Sequence, residues 1–179
     1  MFEIFPIKCI SIIIDIAGNK PSSNGKSYLP QIKESLIQPI TKLESDDLIY
    51  VYSSEGELEM NGDIGESIGA ISNFRKQKID LHIAIQESWV LIGQYDNCHR
   101  AIFVVTDNYR GAGDGIIKMT MSMDVSSGNN TNFFFYGIGN GYNKTLEKLG
   151  EGTNSKFFYR HLNEPSYLGK VFAEDIEKT

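Results

Sequence analysis

Residues 8–16 read KCISIIIDI, apolar nearly throughout until an acid interrupts at Asp15. A strand with one wet face alternates apolar and polar residues. One that is apolar on both faces suits the middle of a parallel sheet with helices packed above and below it. Two further runs share the pattern, DLIYVYS at 47–53 and HRAIFVVT at 99–106. The aromatic runs TNFFFYG at 131–137 and SKFFY at 155–159 read as core strands rather than as stacking platforms. A short sixth strand, antiparallel at the sheet edge, is expected at 57–60 across a Glu55–Gly56 turn.

Segments of helical period separate these runs. In 29–43, Leu29, Ile32, Leu36, Ile40 and Leu43 recur at steps of three and four, the apolar stripe of a helix. Pro30 suits its first turn, whereas Pro39 lies inside the pattern and predicts a kink or a split. Further helices are expected at 64–74, 79–95, 115–123, 143–149 and 165–177, the second of these with Leu81, Ile85, Trp89 and Ile92 on one stripe. Strands alternating with helices predict a doubly wound α/β domain, with about six mostly parallel strands and helices on both faces. No repeat or linker divides the chain, so residues 1–179 are read as one domain.

Composition narrows the function classes. The formal charge of −6 argues against a nucleic-acid partner, which needs clustered Lys and Arg. The one dense basic group, Arg75, Lys76 and Lys78, reads as a solvated helix end. The most apolar stretch, 9–14, is far shorter than the roughly 20 residues of a membrane span. The first residues read as a strand rather than an export signal, because Glu3 stands where a basic leader would and Lys8 interrupts the apolar run. A cytoplasmic protein, monomeric on its own, is the expectation. Cys9 and Cys98 make neither a disulfide framework nor a metal ligand set. Both fall near the starting ends of strands that could be neighbours, so a bridge stays open beside the reduced, half-buried reading that a cytosolic setting favours.

In an open parallel sheet, ligands sit beyond the carboxyl ends of the strands. That directs attention to 15–19, 53–55, 107–110 and 137–141. Asp15 and Asp107 each close an apolar strand. Two carboxylates on one edge repel unless a cation, a basic side chain or intervening solvent compensates. A hard divalent ion with oxygen ligands is one compensator, and Asn19 offers an amide oxygen to it. The plainer reading is that both acids cap the loops and helices that follow.

Four segments, in order, resemble the von Willebrand factor A (vWA) family over 8–172. ISIIIDIAGN is similar to its first strand ending in Asp-x-Ser-x-Ser, and DLHIAI to its Thr-x-Leu-x-x-Ala-Leu segment. AIFVVTDN is similar to its strand ending in Thr-Asp-Gly. FFFYGIGNGYNKTLEKLGEGTNSKFFY is similar to its strand, Gly-x-Gly loop, short helix and last strand. The resemblance implies a metal-ion-dependent adhesion site, built from the first Asp, two serines, a threonine and the later Asp around a magnesium-type ion. One coordination position there is left open for a partner's carboxylate. Asp15 and Asp107 stand at the two Asp positions, Ala17 and Asn19 at the serine positions, and Ile79 at the threonine position with Asp80 beside it. Ala17 and Ile79 carry no side-chain oxygen. The implied site is therefore degenerate, comprising Asp15, Asn19, Asp80 and Asp107, with either no cofactor or a weakly held Mg²⁺.

Other motifs carry less. GNGYNKT at 139–145 lacks the glycine that a phosphate-binding loop places before its Lys. His82, His99 and His161 are not spaced as ligands, and no serine sits in a glycine elbow. Cys98 and His99 point to opposite faces of a strand, so they form no thiol–imidazole pair. Tyr109 and Arg110, just beyond Asp107, are residue types enriched at interface hot spots and are read as partner-binding. The expected function is a non-enzymatic protein–protein interaction module, docking another protein at the rim of Asp15, Asn19, Asp80, Asp107 and Tyr109. Two alternatives stand beside it. One is an adhesion or ligand-binding protein dependent on Mg²⁺ or Mn²⁺. The other is a metal-dependent hydrolase using Asp15 and Asp107, disfavoured by the lack of a basic phosphate clamp.

Overall fold

The structure, a computed structural model, describes residues 7–16, 28–52, 63–75, 79–107, 131–139 and 156–179, together with Gly115, Ser122 and Glu147. Five strands lie among them: β1 (Ile7–Asp15), β2 (Leu48–Tyr52), β3 (Cys98–Thr106), β4 (Thr131–Ile138) and β5 (Phe157–Leu162). They form one sheet in the order β2-β1-β3-β4-β5, and every pairing is parallel. The helices are α1 (Leu29–Ile40), α2 (Ile64–Asn73), α3 (Leu81–Ile92) and α4 (Leu168–Lys178), the last entered through a 3₁₀ turn at Pro165–Tyr167. The expected edge strand at 57–60 and most of the expected helices at 115–123 and 143–149 lie outside the described residues.

The continuous apolar character of β1 is explained by what covers it. Ile10, Ile12 and Ile14 face a core shared with Ile32, Leu36 and Ile40 of α1, Ile71 of α2, and Phe172 and Ile176 of α4. Cys9 and Ile13 face the opposite layer, filled by Leu81, Ala84, Ile85, Leu91 and Ile92 of α3. The aromatic strands divide the same way, with Phe134 and Tyr136 on the first side and Phe133 and Phe135 on the second. Rings stack across strands, Phe103 on Phe134 at 4.7 Å and Phe134 on Phe158 at 4.8 Å between centroids. Burying each such side chain is worth roughly 1.5–3 kcal/mol, so the sheet interior dominates stability. On the first side, α4 lies close against α1 at Gly169, where a Cβ would stand 3.5 Å from the Ser35 backbone.

Two sequence expectations are corrected. Pro39 neither splits nor displaces α1, because the helix ends one residue later at Ile40 and Leu43 packs against the core from the turn beyond. Pro39 stands one residue before the helix end, so its ring removes a single backbone donor and no further turn has to continue past it. The thiols are not free: Cys9 and Cys98 are joined in a disulfide. The register pairs Ile7 with Cys98 and Cys9 with Arg100, so the cysteines sit two residues out of step on adjacent strands with their Cα atoms 5.8 Å apart. Among the described residues no helix is long and apolar enough to cross a membrane.

Polar clasps tie the layers. Asp47 accepts from the Lys8 N–H at 2.8 Å and the Glu44 N–H at 3.0 Å, closing the turn before β2. Asp175 of α4 is 1% exposed and accepts from the Tyr136 hydroxyl at 2.7 Å and from two guanidinium nitrogens of Arg160 at 3.1 and 3.2 Å. That contact joins β4, β5 and α4.

Candidate functional site

With all five strands parallel, their carboxyl ends share one edge. From β1 the chain moves to β2 on one side, then returns through α2 and α3 to β3 on the other. The point where strand order reverses therefore falls between β1 and β3, where such sheets open their ligand crevice. Asp15 ends β1 and pairs in register with Thr106, the last residue of β3. Asp107 follows, and its N–H donates to the Asp15 carbonyl at 3.2 Å. The two acids singled out from the sequence are thus brought side by side at the switch point.

Their side chains differ in setting. Asp15 is 2% exposed. Its Oδ1 accepts from the Ile79 N–H at 3.2 Å and its Oδ2 from the Thr106 hydroxyl at 2.9 Å. The carboxylate is therefore solvated by the chain's own donors. It fastens the approach to α3 onto the end of β1, lying beneath the rim rather than on its surface. Asp107 is half-buried and reaches the rim.

Asp80 is exposed and caps α3. Its Oδ1 accepts from the His82 and Ile83 N–H groups at 3.0 and 3.3 Å, satisfying donors that a helix start otherwise leaves unpaired. The first turn of α3 then presents His82 and Ile83 to solvent, Ile83 being 49% exposed. His82 in turn lies against Gly115, where a Cβ would stand 3.0 Å from Nε2. Tyr52, at the end of β2, completes this side. Burial above all, then a hydrogen bond to Glu87 and the charges of Glu87 and Asp80, push its hydroxyl above the usual tyrosine range. At the other end of the edge, Gly139 follows β4 with φ of +70°, a left-handed conformation that favours glycine. Its carbonyl meets the His161 ring, and its N–H donates to the Leu162 carbonyl at 2.9 Å.

Among the described residues, the donor set that the vWA resemblance implies for an ion is not assembled. Both oxygens of Asp15 already accept from the protein, Asp80 is engaged by its own helix, and Ile79 contributes an N–H where the family has a hydroxyl. Among the described residues no group of three or more His, Cys, Asp or Glu could hold a metal ion. Magnesium demands near-ideal octahedral oxygen geometry, which the described residues by themselves do not supply. Asn19, Tyr109 and Arg110 lie outside the described residues. Sequence reasoning missed Thr106 and the Ile79 N–H as the partners of Asp15. It also missed Asp80 as a helix cap, although an Asp directly before an apolar-periodic run is the usual signature of one.

No protein-family model and no curated protein matches the chain. Solved structures do resemble it. BatB from Bacteroides thetaiotaomicron is 16% identical with a TM-score of 0.66, over 96% of this chain and 98% of that one. The SpRpn10 VWA domain is 12% identical with a TM-score of 0.62, over 93% and 94%. Proximal thread matrix protein 1 from the mussel byssus is 12% identical with a TM-score of 0.70, over 96% of this chain but 48% of that one. At such identities the likeness establishes the fold alone. That fold is vWA-like.

Proposed function

We propose that this vWA-like domain is a non-enzymatic protein-interaction module that docks another protein at the carboxyl edge of its sheet without a resident divalent ion. The observation that carries this reading is the Asp15 carboxylate, buried with both oxygens accepting hydrogen bonds from the chain's own Ile79 and Thr106. A carboxylate so satisfied needs no ion to compensate its burial. What a partner would meet is Asp107 together with Asp80, His82 and Ile83 on the first turn of α3. An exposed isoleucine ringed by polar groups suits the apolar centre and polar rim of an interface.

The test is comparative capture from the native host in the presence of a chelator. Wild-type protein retains its partner under those conditions, and so does Asp96→Lys, a charge reversal in the exposed turn at the far end of the sheet. Ile83→Asp and Asp107→Lys lose it. Retention that depends on added Mg²⁺, or that survives both rim substitutions, would overturn the proposal.

A further inference from the structure

The sheet's amino end carries a covalent feature independent of the docking rim. Cys9 of β1 is fully buried and Cys98 of β3 half-buried, and their Cα separation of 5.8 Å lies in the middle of the range that disulfides span. The strand register alone brings them together. The turn that delivers Cys98 is also held without the bridge. Arg100 donates from Nε to the Ile92 carbonyl at 3.1 Å and from its guanidinium to the Tyr95 carbonyl. The Tyr95 hydroxyl bonds that of Tyr50 on β2 at 2.7 Å, and Asn97 turns the chain into β3 with φ of +60°. The fold therefore presents two thiols to each other in bonding position, and they are the only cysteines in the sequence. The bridge links residues 89 apart, enclosing α1, β2, α2 and α3 in one covalent loop. Closing a long loop restrains the unfolded chain strongly while asking little of the folded one.

We propose that the Cys9–Cys98 bridge is a native structural staple, and that this chain folds and works in a thiol-oxidising compartment rather than in the reducing cytoplasm expected from its sequence. Disulfides persist in such compartments and are held reduced in the cytosol. Formation needs a disulfide-bearing oxidant. A thiolate of one cysteine attacks the oxidant's disulfide and expels one of its sulfurs. The second cysteine then resolves the mixed disulfide, and the oxidant departs as a dithiol carrying the two electrons and two protons. With Cys9 buried, a reductant approaches through Cys98.

The experiment has two arms. Native-host cells are quenched in acid and alkylated before any reduction. The chain is expected to carry no alkyl group until reductant is added, and two thereafter. Two alkylated thiols before reduction would overturn the proposal. In the second arm, purified oxidised protein is melted with and without dithiothreitol, with the thiol state read by mass. Tm is expected to fall by about 5–15 °C on reduction. The Cys9→Ala/Cys98→Ala variant should match the reduced protein and be indifferent to dithiothreitol. If that variant does not fold, the wild-type comparison still reads the effect. An unchanged Tm in fully reduced wild-type protein would show that the bridge is no staple.

Discussion

Asp15 is where the sequence spoke most clearly and where its meaning shifted most. An acid ending an apolar run can be placed at a strand terminus from sequence alone, and two such runs place Asp15 and Asp107 on one edge. The partners of Asp15 were not legible. Thr106 reads as one more β-branched residue of its strand, and the Ile79 donor is a backbone N–H, which every residue but proline possesses. The local chemistry gives a direct expectation. Thr106→Val keeps the shape of the side chain and removes the hydroxyl that donates to Asp15 at 2.9 Å. A buried carboxylate oxygen that loses its donor costs about 1–3 kcal/mol, which should lower Tm by several degrees in thermal unfolding. Thr106→Ser should keep most of the stability. Equal Tm for Val and Ser would mean that the hydrogen bond does not matter.

At the scale of elements, hydrophobic periodicity was a sound guide wherever burial is one- or two-sided. All five runs read as core strands are strands, α1, α2 and α3 fall within the segments of helical period, and α4 runs one residue past its segment. Ends were less legible. The segment 79–95 shortens to Leu81–Ile92, its start set by the Asp80 cap, and a cap is a property of backbone conformation as much as of residue type. The cysteine pair needed strand register, which spacing does not encode. The contacts between elements also predict a pH response. Tyr136 is buried and bonded to Asp175, while Tyr50 is buried and bonded to Tyr95. Burial first, and then these partners, raise both hydroxyls above the usual tyrosine range, as they do for Tyr52 beside Glu87. A folded-state pKa above the unfolded value of about 10 means that the stabilisation is complete below that pH and is lost as pH rises beyond it. Tm followed from pH 7 to 11 should hold until about 10 and then fall. Tyr136→Phe should lower Tm at neutral pH and flatten the alkaline fall. A wild-type Tm level through pH 11 would contradict this.

For the whole molecule, the topology sets the place of the proposed docking rim. Parallel strands gather all their carboxyl ends together, and the reversal of strand order between β1 and β3 parts the covering layers there. The vWA-like architecture does not depend on the residues that the resemblance implies for an ion. The fold rests on a two-sided apolar core, and the ion site rests on a handful of side-chain oxygens at its rim. In this chain Asp15, buried beneath that rim, is answered by protein donors. Thermal unfolding across a Mg²⁺ and Mn²⁺ titration tests that point most directly. Tm is expected to stay level up to millimolar ion. A Tm that climbs with the logarithm of ion concentration, as linkage requires when only the native state binds, and that ceases to climb in Asp15→Ala, would contradict it.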